Sequence, residues 1–203
     1  MAFPVELTSV LTGATVWQLR RWRSTGLLVP EASPSDPPLY SFRDIVALRT
    51  VTRLRAETSL QKIRAAFTRL PTYDLTDHVS QYMFATHGKS IAVQTDEGWL
   101  DLVSKPGQYE LHTLGDVYAP FVTNRGIDVV DFLHPRPNLE VDARRLGGWP
   151  VLKGTRIDYD VAARAVDNVT IFPKDVARFY PGATEASVDD ALDFAEQVHG
   201  VAA

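Results

Sequence analysis

Residues 12–28 read TGATVWQLRRWRSTGLL, and this stretch decides the predicted fold of the N-terminal part of the chain. A helical pattern at Leu7–Leu11 ends near Gly13, where glycine favours the left-handed backbone of a sharp turn. A second helix is predicted over about Thr15–Ser24, so the two short helices form a helix-turn-helix. Its apolar side chains share one side of the helical wheel and are expected to pack inward: Val16, Leu19 and Trp22.

The opposite face of the second helix carries side chains suited to DNA. Trp17 and Arg21 lie at its centre, and Gln18 and Arg20 flank them. Arginine and glutamine hydrogen-bond base edges and phosphates in the major groove, and tryptophan adds apolar contact. The pattern favours a helix that lies in the groove. A helical domain that uses the same shape for protein contacts is the alternative.

Charge is distributed unevenly along the 203 residues, although the net charge is only −4. Residues 1–70 hold 10 Lys and Arg against 5 Asp and Glu, and all but one of those basic residues are arginine. Residues 71–133 hold 3 against 9, and residues 134–203 hold 8 against 11. A basic N-terminal part on an acidic remainder is typical of a DNA-binding domain attached to a partner-binding body. A solvated helical surface is the alternative explanation.

Beyond residue 70 the pattern changes from helical to β and back to helical. Pro71 ends the helical block, and Gly-containing turns at 87–89, 96–98 and 105–107 separate runs of β-forming residues. A small antiparallel meander is therefore predicted. Ser187 and Asp190 predict a capping box at the last helix. The β runs are Gln81–Thr86, Ser90–Thr95, Trp99–Val103, Tyr109–Leu114 and, after a Pro-rich boundary at 134–138, Leu139–Val141; the helical patterns after them are Asp160–Asp167, Pro173–Phe179 and Ser187–Val198.

The N-terminal sequence resembles the winged helix-turn-helix domain of MerR-type regulators over roughly residues 6–70. The resemblance implies a wing at Glu31–Leu39 and binding of operator DNA as a homodimer. The candidate DNA-binding residues are Thr15, Trp17, Gln18, Arg20, Arg21, Tyr40 and Arg43. The motifs that carry the resemblance are Thr12-Gly13, Leu19-Arg20-Arg21-Trp22, Gly26-Leu27-Leu28, Tyr40-Ser41 and Ser59-Leu60 with Ile63-Arg64.

Two positions depart from the MerR pattern. Pro38 stands where such proteins usually carry a wing arginine, which implies less contact between the wing and phosphate. Pro71 interrupts the chain where MerR-type activators continue into a long dimerisation helix. Because that helix is missing, the β-rich region is expected to form the dimer. The absence of cysteine argues against a metal sensor.

Residues 138–198 resemble the domain-of-unknown-function 433 family. Members resemble small three-helix, helix-turn-helix-like domains and commonly occur as antitoxins of bacterial pairs whose toxin is a PIN-type ribonuclease. The match loosens between Val166 and Val176, where Asn168-Val169-Thr170 replaces the usual glycine. The motifs that carry the resemblance are Gly148-Trp149-Pro150-Val151, Gly154-Thr155-Arg156-Ile157, Phe179-Tyr180-Pro181 and Val188 with Ala191-Leu192.

Both resemblances and the charge pattern imply a VapB-type antitoxin that represses its own operon and neutralises a PIN-type ribonuclease. Such toxins hold Mg²⁺ or Mn²⁺ through clustered carboxylates, so a basic side chain suits their active site, and the metal would belong to the toxin. For Thr155 and Arg156, the alternative is that both side chains stabilise their own turn. The candidate toxin-binding residues are Arg136, Arg144, Arg145 and Arg178; a second basic patch comprises Lys153, Thr155, Arg156 and Lys174.

The sequence carries no motif for catalysis, a cofactor or a membrane span. It lacks cysteine, which excludes disulfides, thiol nucleophiles and cysteine-based zinc sites. None of the five histidines lies three or four positions from another, and no phosphate-loop or Gly-x-Ser-x-Gly motif is present. No apolar run approaches about 18 residues, and no signal segment opens the chain. We therefore expect a cytoplasmic protein that is not an enzyme and binds no metal or cofactor.

The expected fold is α+β in three parts: a winged helix-turn-helix at 1–70, a β-rich region at 71–133 and a three-helix domain at 134–203. The alternative function is a stand-alone MerR-like transcriptional regulator whose β region binds a ligand or holds the dimer. An adjacent reading frame for a small, carboxylate-rich protein would favour the antitoxin. A protein-interaction scaffold, in contrast, predicts no salt-dependent affinity for DNA.

Overall fold

The fold was obtained as a computed structural model, which describes residues 2–87, 90–96, 98–103, 110–112 and 114–201. It confirms the α+β class, with an N-terminal winged helix-turn-helix and small antiparallel sheets. Residues 88–89 and 97, which belong to two of the predicted turns, lie outside the described residues, as does the whole predicted turn at 105–107. The helices are α1 (Val5–Thr12), α2 (Val16–Ser24), α3 (Phe42–Glu57), α4 (Leu60–Arg69), α5 (Leu114–Tyr118), α6 (Tyr159–Arg164) and α7 (Glu185–Gly200). The strands are β1 (Phe84–His87), β2 (Ser90–Thr95), β3 (Gly98–Asp101), β4 (Glu110–His112), β5 (Phe121–Val122), β6 (Asp128–Val129), β7 (Leu139–Glu140) and β8 (Val151–Leu152).

The predicted helix-turn-helix is formed by α1 and α2. Gly13 ends α1 with a φ of 71°, and its amide donates to the Ser9 carbonyl. The Val129 side chain lies where a Cβ at Gly13 would be, so glycine serves both the turn and its packing. Leu19 and Trp22 of α2 are buried as predicted, and they place the opposite face of α2 at the surface.

A short wing connects α2 to α3. Ser33 and Leu39 exchange two backbone hydrogen bonds of 3.0 Å, which close the wing. Tyr40 exchanges two more with Phe3, at 2.7 and 2.9 Å. Because Phe3 lies two positions before α1, these bonds tie the base of the wing to the helix-turn-helix.

The central sheet departs from the predicted meander at its fourth strand. The strand order is β3-β2-β1-β4, so the first three strands form an antiparallel meander and β4 pairs with β1. The prediction that β4 continues the meander beside β3 is therefore wrong. Phe84 and Ala85 of β1 are fully buried, whereas Trp99 and Leu100 of β3 are half-buried. A buried strand needs backbone partners on both sides, which a strand at an exposed edge does not.

The C-terminal part contains the three predicted helical segments, with the second as a 3₁₀ helix at Pro173–Arg178. The capping box of α7 is formed by Thr184 and Ser187, which exchange backbone-to-side-chain hydrogen bonds of 2.9 and 3.2 Å. The predicted box of Ser187 with Asp190 is therefore wrong. The Asp190 carboxylate instead accepts two hydrogen bonds from Asn138, and this tertiary contact overrides the local pattern.

Arg49 of α3 joins the helix-turn-helix to the segment 114–133. Its side chain is fully buried between the Phe121 and Phe132 rings, each about 5.4 Å from the guanidinium carbon. Burial lowers the pKa of Arg49 to about 9, so the side chain is still charged at neutral pH. The guanidinium donates hydrogen bonds to the backbone carbonyls of Leu11, Val117, Tyr118, Ala119 and Val130.

The C-terminal part packs against the N-terminal helices. The Phe3 and Trp149 rings stack with their centroids 5.8 Å apart. Gly148 lies directly against the Phe42 ring, where a Cβ would overlap it. Buried side chains from all three parts therefore belong to one core. Within the described part of the chain, no helix is long and apolar enough to span a membrane.

Candidate DNA-binding site

The start of α2 is fixed by a capping box. The Thr15 amide donates to Gln18 Oε1 at 2.8 Å, and the Gln18 amide donates to Thr15 Oγ1 at 3.2 Å. These bonds satisfy two of the backbone amides that a helix start leaves unpaired. Thr15 and Gln18, both predicted to contact DNA, are thus engaged in positioning the helix.

The outward face of α2 presents Trp17, Arg20 and Arg21 to solvent. Trp17 is 60% exposed, which is unusual for so large an apolar side chain. The guanidinium carbon of Arg21 lies 5.4 Å from the centroid of the Trp17 ring. This cation–π contact pre-orders both side chains on the face that sequence analysis assigned to the major groove.

A polar cleft of about 600 Å³ separates α2 from the wing. Arginines from α2 line one side, and wing residues 36–38 line the other. Arg23 also donates a hydrogen bond of 3.3 Å to the Ser35 carbonyl of the wing. A cleft with a cationic wall beside an exposed helix face can hold a phosphate backbone while the helix contacts the bases. The arginines that line it are Arg20, Arg21 and Arg23.

The comparisons with known proteins agree with this geometry. Residues 6–70 match the family model described as MerR HTH family regulatory protein. These residues form a MerR-type helix-turn-helix domain. A domain of this kind indicates DNA binding in transcription regulation.

Similarity to a solved structure extends along nearly the whole chain. The crystal structure of Rv2018 from Mycobacterium tuberculosis superimposes with a TM-score of 0.56 and covers 94% of this chain and 96% of that chain. The two sequences are 16% identical, so the likeness concerns the fold alone. No curated protein matches the sequence.

Tyr40 of the MerR-type domain does not belong to the DNA-facing surface. Its side chain is only 1% exposed, so the prediction that it contacts DNA is wrong. Burial raises the pKa of Tyr40 to about 12. The physical reason is the pairing of Tyr40 with Phe3, which places this part of the wing strand in the core.

Arg43 is half exposed, and its guanidinium forms an ion pair with Glu31 at the base of the wing. The Ser41 hydroxyl also donates to the Glu31 carboxylate, at 2.9 Å. Arg43 therefore fastens the wing to the start of α3, and an operator phosphate would have to compete with Glu31 for it.

The buried carboxylate of Asp44 organises the same corner. It accepts hydrogen bonds from the Ser41 and Glu31 amides at 2.7 and 2.9 Å and contacts His78 Nε2 at 3.3 Å. Burial alone would raise the pKa of Asp44, but the bonds from His78 and these amides outweigh it and lower the pKa. Glu31, Asp44 and His78 offer ligand atoms within 4.8 Å of one another. One Asp44 oxygen accepts both backbone amides and the other contacts His78, so this arrangement caps the start of α3.

The four candidate toxin-binding arginines lie in different environments. The Arg136 guanidinium binds Asp193 and Gln197 of α7 and lies 5.3 Å from the Phe194 ring centroid. Arg145 pairs with Glu140 and donates to the Thr155 carbonyl. The side chains of Arg144 and Arg178 are 92% and 77% exposed, with Arg178 paired to Asp175. Only these last two are therefore readily available to a partner among the four.

The second basic patch likewise contains one residue engaged within the chain and others exposed to solvent. Thr155 Oγ1 donates to the Leu152 carbonyl at 2.7 Å and accepts from the Ile157 amide at 3.0 Å, so it stabilises its own turn. Lys153 and Arg156 are exposed on that turn. Lys174 is exposed and lies 6.0 Å from the Phe172 ring centroid.

Sequence analysis missed the exposed aromatic side chains beside Lys174 and Arg178. Phe172 and Phe179, at the two ends of the 3₁₀ helix, are 43% and 60% exposed, and Val169 is 78% exposed. Sequence pattern alone would predict Phe179-Tyr180-Pro181 to lie in the core and at a helix stop. The signal that could have exposed the error was the flanking charge, because a core segment this short seldom alternates with lysine and arginine.

Proposed function

We propose that the protein is a homodimeric regulator that represses its own operon by placing α2 in the major groove of operator DNA. The exposed face formed by Trp17, Arg20 and Arg21 supports this function most directly. Arginines in the cleft beside the wing would contact phosphate, while side chains on the outward face would contact base edges. The acidic remainder of the chain would face away from the DNA.

The proposed homodimer follows from the short length of DNA that one helix-turn-helix can cover. One helix-turn-helix covers one half-site, and dimers bind two half-sites about one helical turn apart. The β-rich region at 71–133 is our preferred dimer contact, because the chain turns into a sheet where MerR-type activators continue their helix.

Fluorescence anisotropy with the DNA upstream of the protein's own gene tests the proposal. The full chain should bind this DNA more tightly than a scrambled duplex of the same length. Arg21→Ala should weaken specific binding by about 5- to 150-fold, which corresponds to one specific contact. The matched control is Arg144→Ala, since Arg144 is an exposed arginine far along the chain. Equal loss for both variants, or equal affinity for the two duplexes, would refute the assignment.

We further propose that the protein is an antitoxin that binds and inhibits a PIN-type ribonuclease, and that it has no catalytic activity of its own. The resemblance of residues 138–198 to the domain-of-unknown-function 433 family supports this role. A specific observation also favours it: Phe172 and Phe179 are exposed beside Lys174 and Arg178. Aromatic side chains with an adjacent arginine are the usual centre of a protein–protein interface.

Arg178 is our preferred residue for entering the toxin's carboxylate cluster. Arg136 and Arg145 already bind carboxylates within this chain, and moving them would break those pairs. Arg178 is itself 77% exposed and would leave an i, i+3 pair with Asp175, whose carboxylate still accepts a hydrogen bond from the Phe172 amide. The neighbouring Phe179 would supply an apolar contact beside Arg178, whereas the exposed Arg144 pairs with Asp142.

Co-expression with the protein encoded by the adjacent gene tests the antitoxin role, with size-exclusion chromatography and an RNA-cleavage assay as readouts. We expect a stable complex and suppressed cleavage. Arg178→Ala and Phe179→Ser should each restore cleavage, whereas Arg164→Ala, an exposed arginine on α6, should not. Arg21→Ala should leave the complex intact.

A stand-alone regulator is the alternative outcome of the same experiment. It predicts no complex with the neighbouring protein, together with salt-sensitive binding to the upstream DNA. That result would refute the antitoxin role and leave the operator-binding role in place.

A further inference from the structure

A second pocket lies on the other side of Trp17 from the DNA-facing cleft. Its volume is about 400 Å³, and it is enclosed by the α1–α2 turn, the β5–β6 hairpin and the end of α7. Pockets that bind small molecules have volumes of about 300–1,000 Å³ and are mostly apolar with a few polar groups. The residues that characterise its wall are Ser9, Val10, Trp17, Ile127, Asp128 and Gln197.

The apolar part of the wall is unusually exposed. Trp17 and Ile127 are 60% and 40% exposed, and both are large side chains that normally seek cover. Val10 is buried and forms the floor of the pocket. A flat apolar group such as a single aromatic ring would cover part of this apolar wall.

The polar part of the wall carries negative charge. Of the described residues that line the pocket, Asp128 alone is charged. Its carboxylate has no hydrogen-bond or ion-pair partner within the described residues, while its backbone pairs with Val122 in the hairpin. Gln197 of α7 adds an amide on the same wall. Arg21 contacts Trp17 but lines the DNA-facing cleft and not this pocket.

We propose that this pocket binds a small apolar cation, with an aromatic or aliphatic body against Trp17 and Ile127 and a protonated amine at Asp128. This site shares Trp17 with the α2 face and includes no residue of the patch at Phe172 and Phe179. It exists only because the hairpin and α7 pack beside the helix-turn-helix, so a ligand here contacts the DNA-binding part and the C-terminal part together.

An NMR titration of the full chain with three probes of similar size tests the proposal. 2-Phenylethylamine, 2-phenylethanol and phenylacetate share one ring and differ in charge. We expect saturable shifts of the amides of Val10, Thr15, Ile127 and Gln197, with affinity falling from the amine to the alcohol to the anion. No saturable shift at these residues, or shifts scattered over the surface, would overturn the proposal.

Two matched variants test the role of the carboxylate. Asp128→Asn should weaken amine binding by about five-fold, the effect of one exposed ion pair, and should leave alcohol binding unchanged. Asp189→Asn removes an exposed carboxylate of α7 and should change the affinity for neither the amine nor the alcohol. If Asp128→Asn binds the amine as well as the wild type does, or if the three probes bind equally, the site does not select a cation.

Discussion

The Nε atom of Arg49 donates a hydrogen bond of 2.7 Å to the backbone carbonyl of Val117, across 68 positions of sequence. The same guanidinium reaches carbonyls at both ends of the segment 117–130 and one at the end of α1. A single buried cation therefore holds the MerR-type domain against the segment that comes after the sheet. It satisfies carbonyls that this irregular segment would otherwise leave buried and unpaired.

Arg49→Leu should lower the free energy of unfolding by at least about 3 kcal/mol, because it leaves several buried carbonyls without a donor. Urea denaturation of the full chain measures the change. Arg49→Lys should recover only part of the loss, since an ammonium has fewer donors and a different geometry.

Arg55 of the same helix provides the control for Arg49. It is half-buried, and within the described residues its guanidinium donates one long hydrogen bond, of 3.4 Å, to the Thr58 carbonyl. Arg55→Leu should change stability by less than about 1 kcal/mol. A similar loss for both variants would show that the carbonyl cluster is not what Arg49 stabilises.

A fragment that ends at Leu70 should not unfold cooperatively. It would keep the Leu11 carbonyl but lose the other four acceptors of Arg49, and it would expose the Phe3 ring that stacks on Trp149. Circular dichroism during heating should give a broad, shallow change instead of the sigmoidal melt of the full chain. A sharp melt of the fragment would mean that residues 1–70 fold independently of residues 71–203.

The buried hydroxyl of Tyr40 should make stability decline at high pH. Burial raises its pKa to about 12, against about 10 in the unfolded chain. Below pH 10 both states hold the proton and stability is unaffected. Between pH 10 and 12 the unfolded state releases its proton first, so the free energy of unfolding falls as pH rises.

Tyr40→Phe isolates this contribution, since it keeps the ring in the core. Urea denaturation at pH 8 and pH 11 should show a smaller decline for Tyr40→Phe than for the wild type. Tyr118 and Tyr159, whose pKa values are also raised by burial, contribute equally to both proteins. Parallel declines would rule out titration of Tyr40 as a cause.

Local features of the fold were predictable from sequence, whereas the tertiary ones were not. The faces of α2 result from a helical period and a turn glycine, and both act within a few residues. The burial of Tyr40 depends on Phe3, and the place of β4 depends on which sheet edge is buried. Local pattern specifies neither.

Arg49 illustrates the limit most clearly. It lies four positions after Ile45, on the same side of α3, which is a sign that an arginine points into the core. The sequence offers no sign of its acceptors, because they are backbone carbonyls of a distant segment. In the candidate site, likewise, the outward position of Trp17 and Arg21 was predictable, but the use of Thr15 and Gln18 as a cap was only partly visible.

The salt dependence of operator binding shows whether α2 is the DNA-binding helix. Affinity for the upstream DNA is measured from low to physiological salt for the wild type, for Arg20→Ala/Arg21→Ala and for the control Arg144→Ala/Arg178→Ala. We predict a steep linear fall of log affinity with log salt for the wild type and the control. The Arg20/Arg21 variant should bind more weakly at every salt concentration, with a slope shallower by about one to two. An unchanged affinity and slope in that variant would contradict the assignment of α2 as the DNA-binding helix.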